Sequence, residues 1–192
     1  MPIRRESLLS LEAYARERDA FRARVIEHKK RRSVHLGQHV TLQFEDELTI
    51  RYQVQEMLRI ERIFEEEGIE AELAAYNPLV PDGTNWKATL LIEYPDPEER
   101  KRMLALLRGL ERGVWVQVEG HARMSAIADE DLDRETEEKT SSVHFLRFEL
   151  DQGMRAALAR GAAVTVGVEH PHYTASVELP ADVRAALCAD LR

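Results

Sequence analysis

Leu106-Leu107-Arg108-Gly109, followed by Val114-Trp115-Val116-Gln117-Val118-Glu119, is echoed later in the chain by Leu158-Ala159-Arg160-Gly161 and then Val164-Thr165-Val166-Gly167-Val168-Glu169. Each tetrapeptide closes a helical stretch on a glycine, and each hexapeptide places valine at every second position, as a half-buried strand does. Extended outward, Leu91 to Asp131 and Leu146 to Asp182 each read as strand, helix and two strands joined by a tight turn. His121 stands at the turn of the first unit, His170 and His172 at the turn of the second. The pattern predicts an α+β fold: a largely antiparallel sheet built from two strand–helix–hairpin repeats about an approximate two-fold axis.

The chain before these units supplies the rest. Ser10 to Arg32 carries Leu11, Tyr14, Phe21 and Val25 at three- and four-residue spacings, which predicts an amphipathic N-terminal helical arm within residues 1–33. A strand follows Gly37 over His39 to Phe44; its alternation points Val40, Leu42 and Phe44 inward and leaves His35, His39 and Thr41 on the other face. The i, i+4 spacing of His35 and His39 suits a metal pair on a helix, which the strand reading weakens. Glu47 to Glu67 reads as a long helix ending before Gly68, with a broad apolar arc of Ile50, Val54, Met57, Leu58, Ile60, Ile63 and Phe64. That helix is expected to be the central rod on which the sheet packs. The Pro-rich segment from Tyr76 to Trp86 reads as a loop. No low-complexity segment divides the chain, so one domain is expected: an arm (1–33), a strand, long helix and loop (34–86), a first repeat (87–131) and a second (143–192).

Composition excludes several classes. With 27 Lys and Arg against 35 Asp and Glu, the net charge of −8 speaks against general nucleic-acid binding, which needs a basic face to neutralise phosphates. Lys29-Lys30-Arg31-Arg32 is a local exception, read as a solvated helix end or as a docking patch for an acidic partner. The acidic run from Asp129 to Glu138 reads as a solvated loop between the two units. No apolar stretch is long enough to span a membrane, and the opening Met1-Pro2-Ile3-Arg4-Arg5-Glu6 lacks the apolar block of a signal peptide, so the cytoplasm is the expected compartment. A single cysteine, Cys188, excludes an internal disulfide and reads as a packed small hydrophobe.

The residues with chemical capacity are few. Glu61 falls near the centre of the long helix's apolar arc and Glu56 at its edge, with Arg59 one turn away. Glu61 is read as a wet side chain where the helix leaves the core, an ion pair with Arg147 or Lys87, or a functional carboxylate. His144 continues the face of Leu146, Phe148 and Leu150, and His170 that of Val164, Val166 and Val168. Together with His121 and His172 they are candidate metal ligands if the imidazoles converge at one rim of the sheet, and Glu56, Glu61, His144 and His170 are the candidate catalytic groups. Arg51, Arg59, Lys87 and Trp86 are candidates for holding a ligand, the three cations as a small-anion sensor and Trp86 by stacking. No phosphate loop, nucleophile elbow or standard metal spacing is present, so no motif requires a cofactor.

Four segments carry a family resemblance: Phe44-Glu45-Asp46-Glu47, Arg51-Tyr52-Gln53-Val54-Gln55-Glu56-Met57-Leu58-Arg59, Tyr76-Asn77-Pro78-Leu79 and His170-Pro171-His172-Tyr173. Through them the chain resembles, over nearly its whole length, the bacterial family called domain of unknown function 3501. That resemblance implies no transferable activity. It implies a setting: members are encoded beside rubrerythrin-like and heterodisulfide-reductase-like iron–sulfur proteins, hence an accessory or binding role in a redox or peroxide-defence system. The alternatives are a metal-binding protein or enzyme built on the His/Glu set, and the anion sensor. The wide apolar arc also predicts a homodimer.

Overall fold

Capping chemistry sets the element boundaries of the computed structural model, which describes residues 2–128 and 139–192. The acidic run and the last residues of the first expected unit therefore lie outside the described residues. Helix α1 (Leu11–Lys30) begins at Ser10, whose hydroxyl accepts from Ala13 N at 3.2 Å. Strands β1 (Ser33–Leu36) and β2 (Val40–Phe44) form a hairpin. Helix α2 (Glu47–Glu61) starts with a reciprocal cap: Asp46 Oδ1 accepts from Thr49 N, and Thr49 Oγ1 accepts from Asp46 N.

The long helix expected to run to Glu67 is instead two helices. Arg62 adopts a left-handed backbone (φ 56°), Ile63 N donates to Leu58 O at 2.9 Å, and a separate α3 follows over Glu66–Tyr76. Gly68, read as the terminator, lies inside α3. There a Cβ would stand 2.7 Å from Ile63 Cγ2, so this glycine admits the side chain that folds back from the break.

The remaining elements are β3 (Asn85–Ile92), α4 (Pro97–Leu106), β4 (Val114–Val118), β5 (Met124–Ser125), β6 (Ile127–Ala128), β7 (Val143–Glu149), α5 (Gln152–Ala159), β8 (Val164–His170), β9 (Tyr173–Glu178) and α6 (Ala181–Cys188). The order strand, helix, strand, strand thus occurs twice, as β3–α4–β4–β5 and β7–α5–β8–β9. Gly109 (φ 80°) and Gly161 (φ 90°) both take the left-handed conformation after their helices, which accounts for the echoed tetrapeptide. The two segments differ in detail: a 3-10 turn over Leu110–Gly113 precedes β4, and β5 has two residues where β9 has six.

Among the described residues the strands form two antiparallel sheets, β1-β2-β3-β7-β6 and β5-β4-β8-β9. β3 pairs with β7 and β4 with β8, with Leu90 opposite His144 and Val116 opposite Val166. Their inner faces make one core, in which Val40, Leu42, Phe44, Leu90, Phe148, Val116 and Val166 are all at most 1 % exposed. Met124 to Ala128 passes from one sheet to the other, and on the opposite side Tyr173 of β9 donates its hydroxyl to Leu36 O and accepts from His39 N at 3.1 Å. The sheets therefore wrap into a barrel-like shell.

The expected central rod is displaced from this core. Ile50, Val54 and Leu58 of α2 bury against Ile3, Leu8, Ile69, Leu73 and Val80 in a second, separate cluster. Nor is α1 a free arm: Tyr14 is fully buried, and Phe21 meets Tyr14 and Tyr52 edge-on at 6.0 and 5.9 Å. The end of the apolar arc stays uncovered, with Ile60 61 % and Phe64 69 % exposed. No described helix is long and apolar enough to cross a membrane.

Candidate functional site

The polar groups of α2 fasten the scaffold. Glu56 accepts from Arg18 Nε (2.7 Å) and Arg18 Nη2 (2.9 Å), from Tyr14 Oη (2.7 Å) and from Arg59 Nη2 (3.3 Å). The Arg18 hydrogen bonds, with those of Tyr14 and Arg59, outweigh burial and hold its carboxyl down to about 2. Burial and the same carboxylate push the Tyr14 phenol up. Gln55, not singled out by its position in the sequence, is 1 % exposed and clips the N-terminal segment by accepting from Leu9 N (2.6 Å) and donating to Leu9 O (3.3 Å). Asn77 does the same for Ile3, at 2.7 and 3.0 Å. Glu61 is exposed at the end of α2.

The basic segment after α1 also departs from expectation at its last residue. Arg32 is 2 % exposed and donates to Phe44 O, Glu45 O and Asp190, while His28 Nε2 lies 2.5 Å from Asp46 Oδ2. Burial raises the Asp46 carboxyl, but Arg32, the Thr49 amide and His28 together bring it below the usual carboxylate range. Burial wins at Asp190 and leaves its carboxyl raised against the pull of Arg32. Arg32 thus joins α1, β2 and the C-terminal segment through buried polar contacts rather than projecting into solvent.

The ligand-holding candidates are engaged elsewhere. Trp86 is 1 % exposed, donates Nε1–H to Leu187 O at 3.0 Å and meets Phe44 edge-on, so it is a core anchor with no open face for stacking. Arg51 lies 3.4 Å from Glu47 and over the Phe21 ring, Arg59 reaches Glu56, and Lys87 donates to Pro78 O; the three cations face different partners. Cys188 is half-buried and burial pushes its thiol up, as a packed hydrophobe requires.

The four histidines of the two units do not form a metal centre: among the described residues, no three His, Cys, Asp or Glu side chains gather as metal ligands. His144 is fully buried on the face the alternation assigned to it, and its Nε2 lies 2.8 Å from Thr140 Oγ1, 3.0 Å from Ser141 O and 3.9 Å from Glu111 Oε2. His170 Nε2 donates to Arg108 O (3.0 Å) while Nδ1 accepts from His172 N (3.2 Å), so both nitrogens secure the β8–β9 turn. His172 is exposed beside it, the two rings 5.8 Å apart. His121, at the turn after β4, packs its Cε1 against Gly153 at the start of α5.

A different pair of imidazoles shares a cleft. The β1–β2 hairpin places His35 opposite Thr41, and His39, two residues before Thr41, on the same face. Glu93 follows β3, where its N–H donates to His39 O at 2.8 Å. Thr41 Oγ1 donates to Glu93 Oε2 (2.8 Å) and lies 3.0 Å from His35 Nδ1; His39 Nδ1 lies 2.9 Å from Glu93 O. The His39 ring stacks on Tyr94 with centroids 4.0 Å apart and planes 12° from parallel. With Arg100, which donates to Tyr94 O at 3.3 Å, these groups line an open cleft of about 790 Å³. Tyr173 fixes the cleft from behind through its bond to His39 N, and Gly37 leaves it room: a Cβ there would stand 2.6 Å from the Tyr173 hydroxyl. Burial, with Tyr173 and Glu99 nearby, pushes the Tyr94 phenol up. The sequence reading placed His35, His39 and Thr41 on one face but did not resolve β1, whose pairing across the Gly37 turn brings them together.

A crystal structure of a novel protein of unknown function from Burkholderia pseudomallei K96243, at 1.90 Å resolution, has the same fold: the TM-score is 0.95, with 56 % identity over 100 % of both chains. No curated protein matches the chain. A family model matches residues 2–191, nearly the whole chain, and by that match the chain belongs to the protein family of unknown function DUF3501.

Proposed function

We propose that this chain is a non-enzymatic binding protein, accessory to a redox or peroxide-defence system, whose working surface is the cleft beside the β1–β2 turn. The observation that carries the binding reading is the coincidence of His35, His39, Glu93 and the His39–Tyr94 stack around about 790 Å³ of open space. Concave sites with a few convergent polar groups are where small molecules bind. Gln55 and Glu56 of α2 are instead engaged in holding the N-terminal segment and α1 against that helix. The redox setting, with rubrerythrin-like or iron–sulfur proteins as partners, comes from the family resemblance and belongs to the same proposal.

Two measurements test it. A thermal-shift screen of soluble metabolites against the wild type and a His35→Ala/His39→Ala variant is expected to yield ligands that stabilise only the wild type. Equal stabilisation of both proteins, or of neither, removes the cleft. Co-purification from peroxide-stressed cells is expected to recover a redox protein, and its consistent absence removes the setting.

A homodimer is a second reading, favoured by the exposed Ile60 and Phe64 at the end of the apolar arc.

A further inference from the structure

We infer that the cleft beside the β1–β2 turn takes small organic cations bearing N–H donors, of the alkylammonium or guanidinium class, an inference that rests on the binding function proposed for that cleft. Its basis is the direction of each hydrogen bond. A backbone carbonyl only accepts, so the 2.9 Å contact between His39 Nδ1 and Glu93 O places the proton of the neutral ring on Nδ1 and leaves Nε2 its lone pair. Thr41 has one hydroxyl proton, and it goes to Glu93 Oε2 at 2.8 Å. The 3.0 Å contact between Thr41 Oγ1 and His35 Nδ1 is therefore donated by the imidazole, and His35 Nε2 keeps its lone pair as well.

One residue thus sets both tautomers, Glu93 acting through its carbonyl on His39 and through Thr41 on His35. The cleft gathers two imidazole acceptors and a carboxylate on neighbouring strands. An anion would meet three groups that offer it no proton, whereas a donor-rich cation meets its complement. Arg100 is the opposing charge among the lining residues, and its Nη1 is drawn to Tyr94 O at 3.3 Å. The Tyr94 ring, buried in the core, stacks on His39 and fixes the plane of that imidazole at the cleft.

The test is NMR on the full-length protein with labelled histidines. Long-range nitrogen–proton correlations at pH 8 are expected to show His35 and His39 both protonated at Nδ1; an Nε2–H form of either ring overturns the inference at its root. Titration with propylammonium or methylguanidinium chloride at constant ionic strength is expected to give saturable shifts of both rings. Glu93→Gln is expected to weaken these about tenfold, and sodium acetate or phosphate to give none. Glu93 is exposed, so this variant keeps the fold, which a thermal melt verifies. Saturable shifts with acetate or phosphate and not with the cations overturn the ligand class and leave the cleft as a binding site. If no probe shifts either ring but the metabolite screen finds a cleft ligand, the class alone fails. If the screen is also empty, the binding function fails and the inference with it.

Discussion

The α1–α2 layer and the β1–β2 hairpin are both rich in polar side chains, and they differ in how much of that polarity the fold consumes. Glu56 accepts four hydrogen bonds and Gln55 uses both ends of its amide. On the hairpin face each imidazole has its Nδ1 fixed by a neighbour, and in the tautomers inferred above its Nε2 keeps a lone pair. Buried polar groups call for partners, and in the helical layer Glu56 and Gln55 have theirs, while the buried Nε atoms of Arg51 and Arg59 have no hydrogen-bond partner among the described residues. A group with remaining hydrogen-bonding capacity beside open space is the better guide to function. By that criterion the helix that carries the family resemblance is a fastener, and the hairpin is where we propose the site.

The largest effect should separate the two regions directly. Glu56→Ala leaves Arg18, Arg59 and the buried Tyr14 hydroxyl without their shared acceptor, and urea denaturation should register a loss of about 2–3 kcal/mol. Glu93→Gln at the cleft should cost no more than about 0.5 kcal/mol, because the side chain is exposed and an amide oxygen still accepts from Thr41. Equal losses at the two positions would erase the distinction.

Acid titration sharpens it. Glu56 has a carboxyl depressed from 4.5 to about 2, so its stabilisation is fully present above pH 4.5 and is lost as pH falls through the window down to about 2. The folded state there binds fewer protons than the unfolded chain, and stability must rise with pH across that window. Glu56→Gln should flatten the slope of unfolding free energy between pH 2 and 4.5, whereas Glu93→Gln should leave the Glu56 contribution in place. An unchanged slope in Glu56→Gln would show that the network is not what couples this helix pair to acid.

How much of this was legible depended on whether local pattern or pairing decided the outcome. Alternation alone placed Val40, Leu42 and Phe44 in the core and put His144 on the buried face of β7. The glycines of the two tetrapeptides announced their left-handed caps. Three features resisted. Arg62 is a left-handed non-glycine residue, a conformation that no local preference signals, so the break between α2 and α3 was hidden. The sheet core excludes α2 because the sheets cover each other, a tertiary outcome to which an apolar arc on a helix is blind. The cleft was missed because Ser33–Leu36 is too short to announce itself as a strand, and only its pairing with β2 turns a four-residue histidine spacing into one face.

Gly37 probes the seam that holds the hairpin site. Its backbone is left-handed (φ 73°) and the space a Cβ would need is taken by the Tyr173 hydroxyl, so Gly37→Ala should cost about 1–2 kcal/mol by thermal denaturation. Tyr173→Phe removes the bridge to Leu36 O and His39 N while keeping the ring, for a loss of about 1 kcal/mol. Both should shift the His39 ring resonances and leave those of Tyr14 and Tyr52 in place, since the seam touches the cleft and not the helical layer. A Tyr173→Phe protein with unaltered His39 signals would detach the seam from the site.

The smallest expected effect concerns the uncovered end of the helical layer. Phe64 is 69 % exposed beyond the break at Arg62, so Phe64→Glu should change the stability of an isolated chain by no more than about 0.5 kcal/mol. Sedimentation compares the oligomeric state directly. If a second copy covers Ile60 and Phe64, the charge forces an unpaired carboxylate into that contact and the population of dimers falls. If the sedimentation of the wild type is already that of a 22.1 kDa monomer and the variant matches it, the homodimer is removed, and the apolar arc of α2 ends at the solvent where α3 turns away.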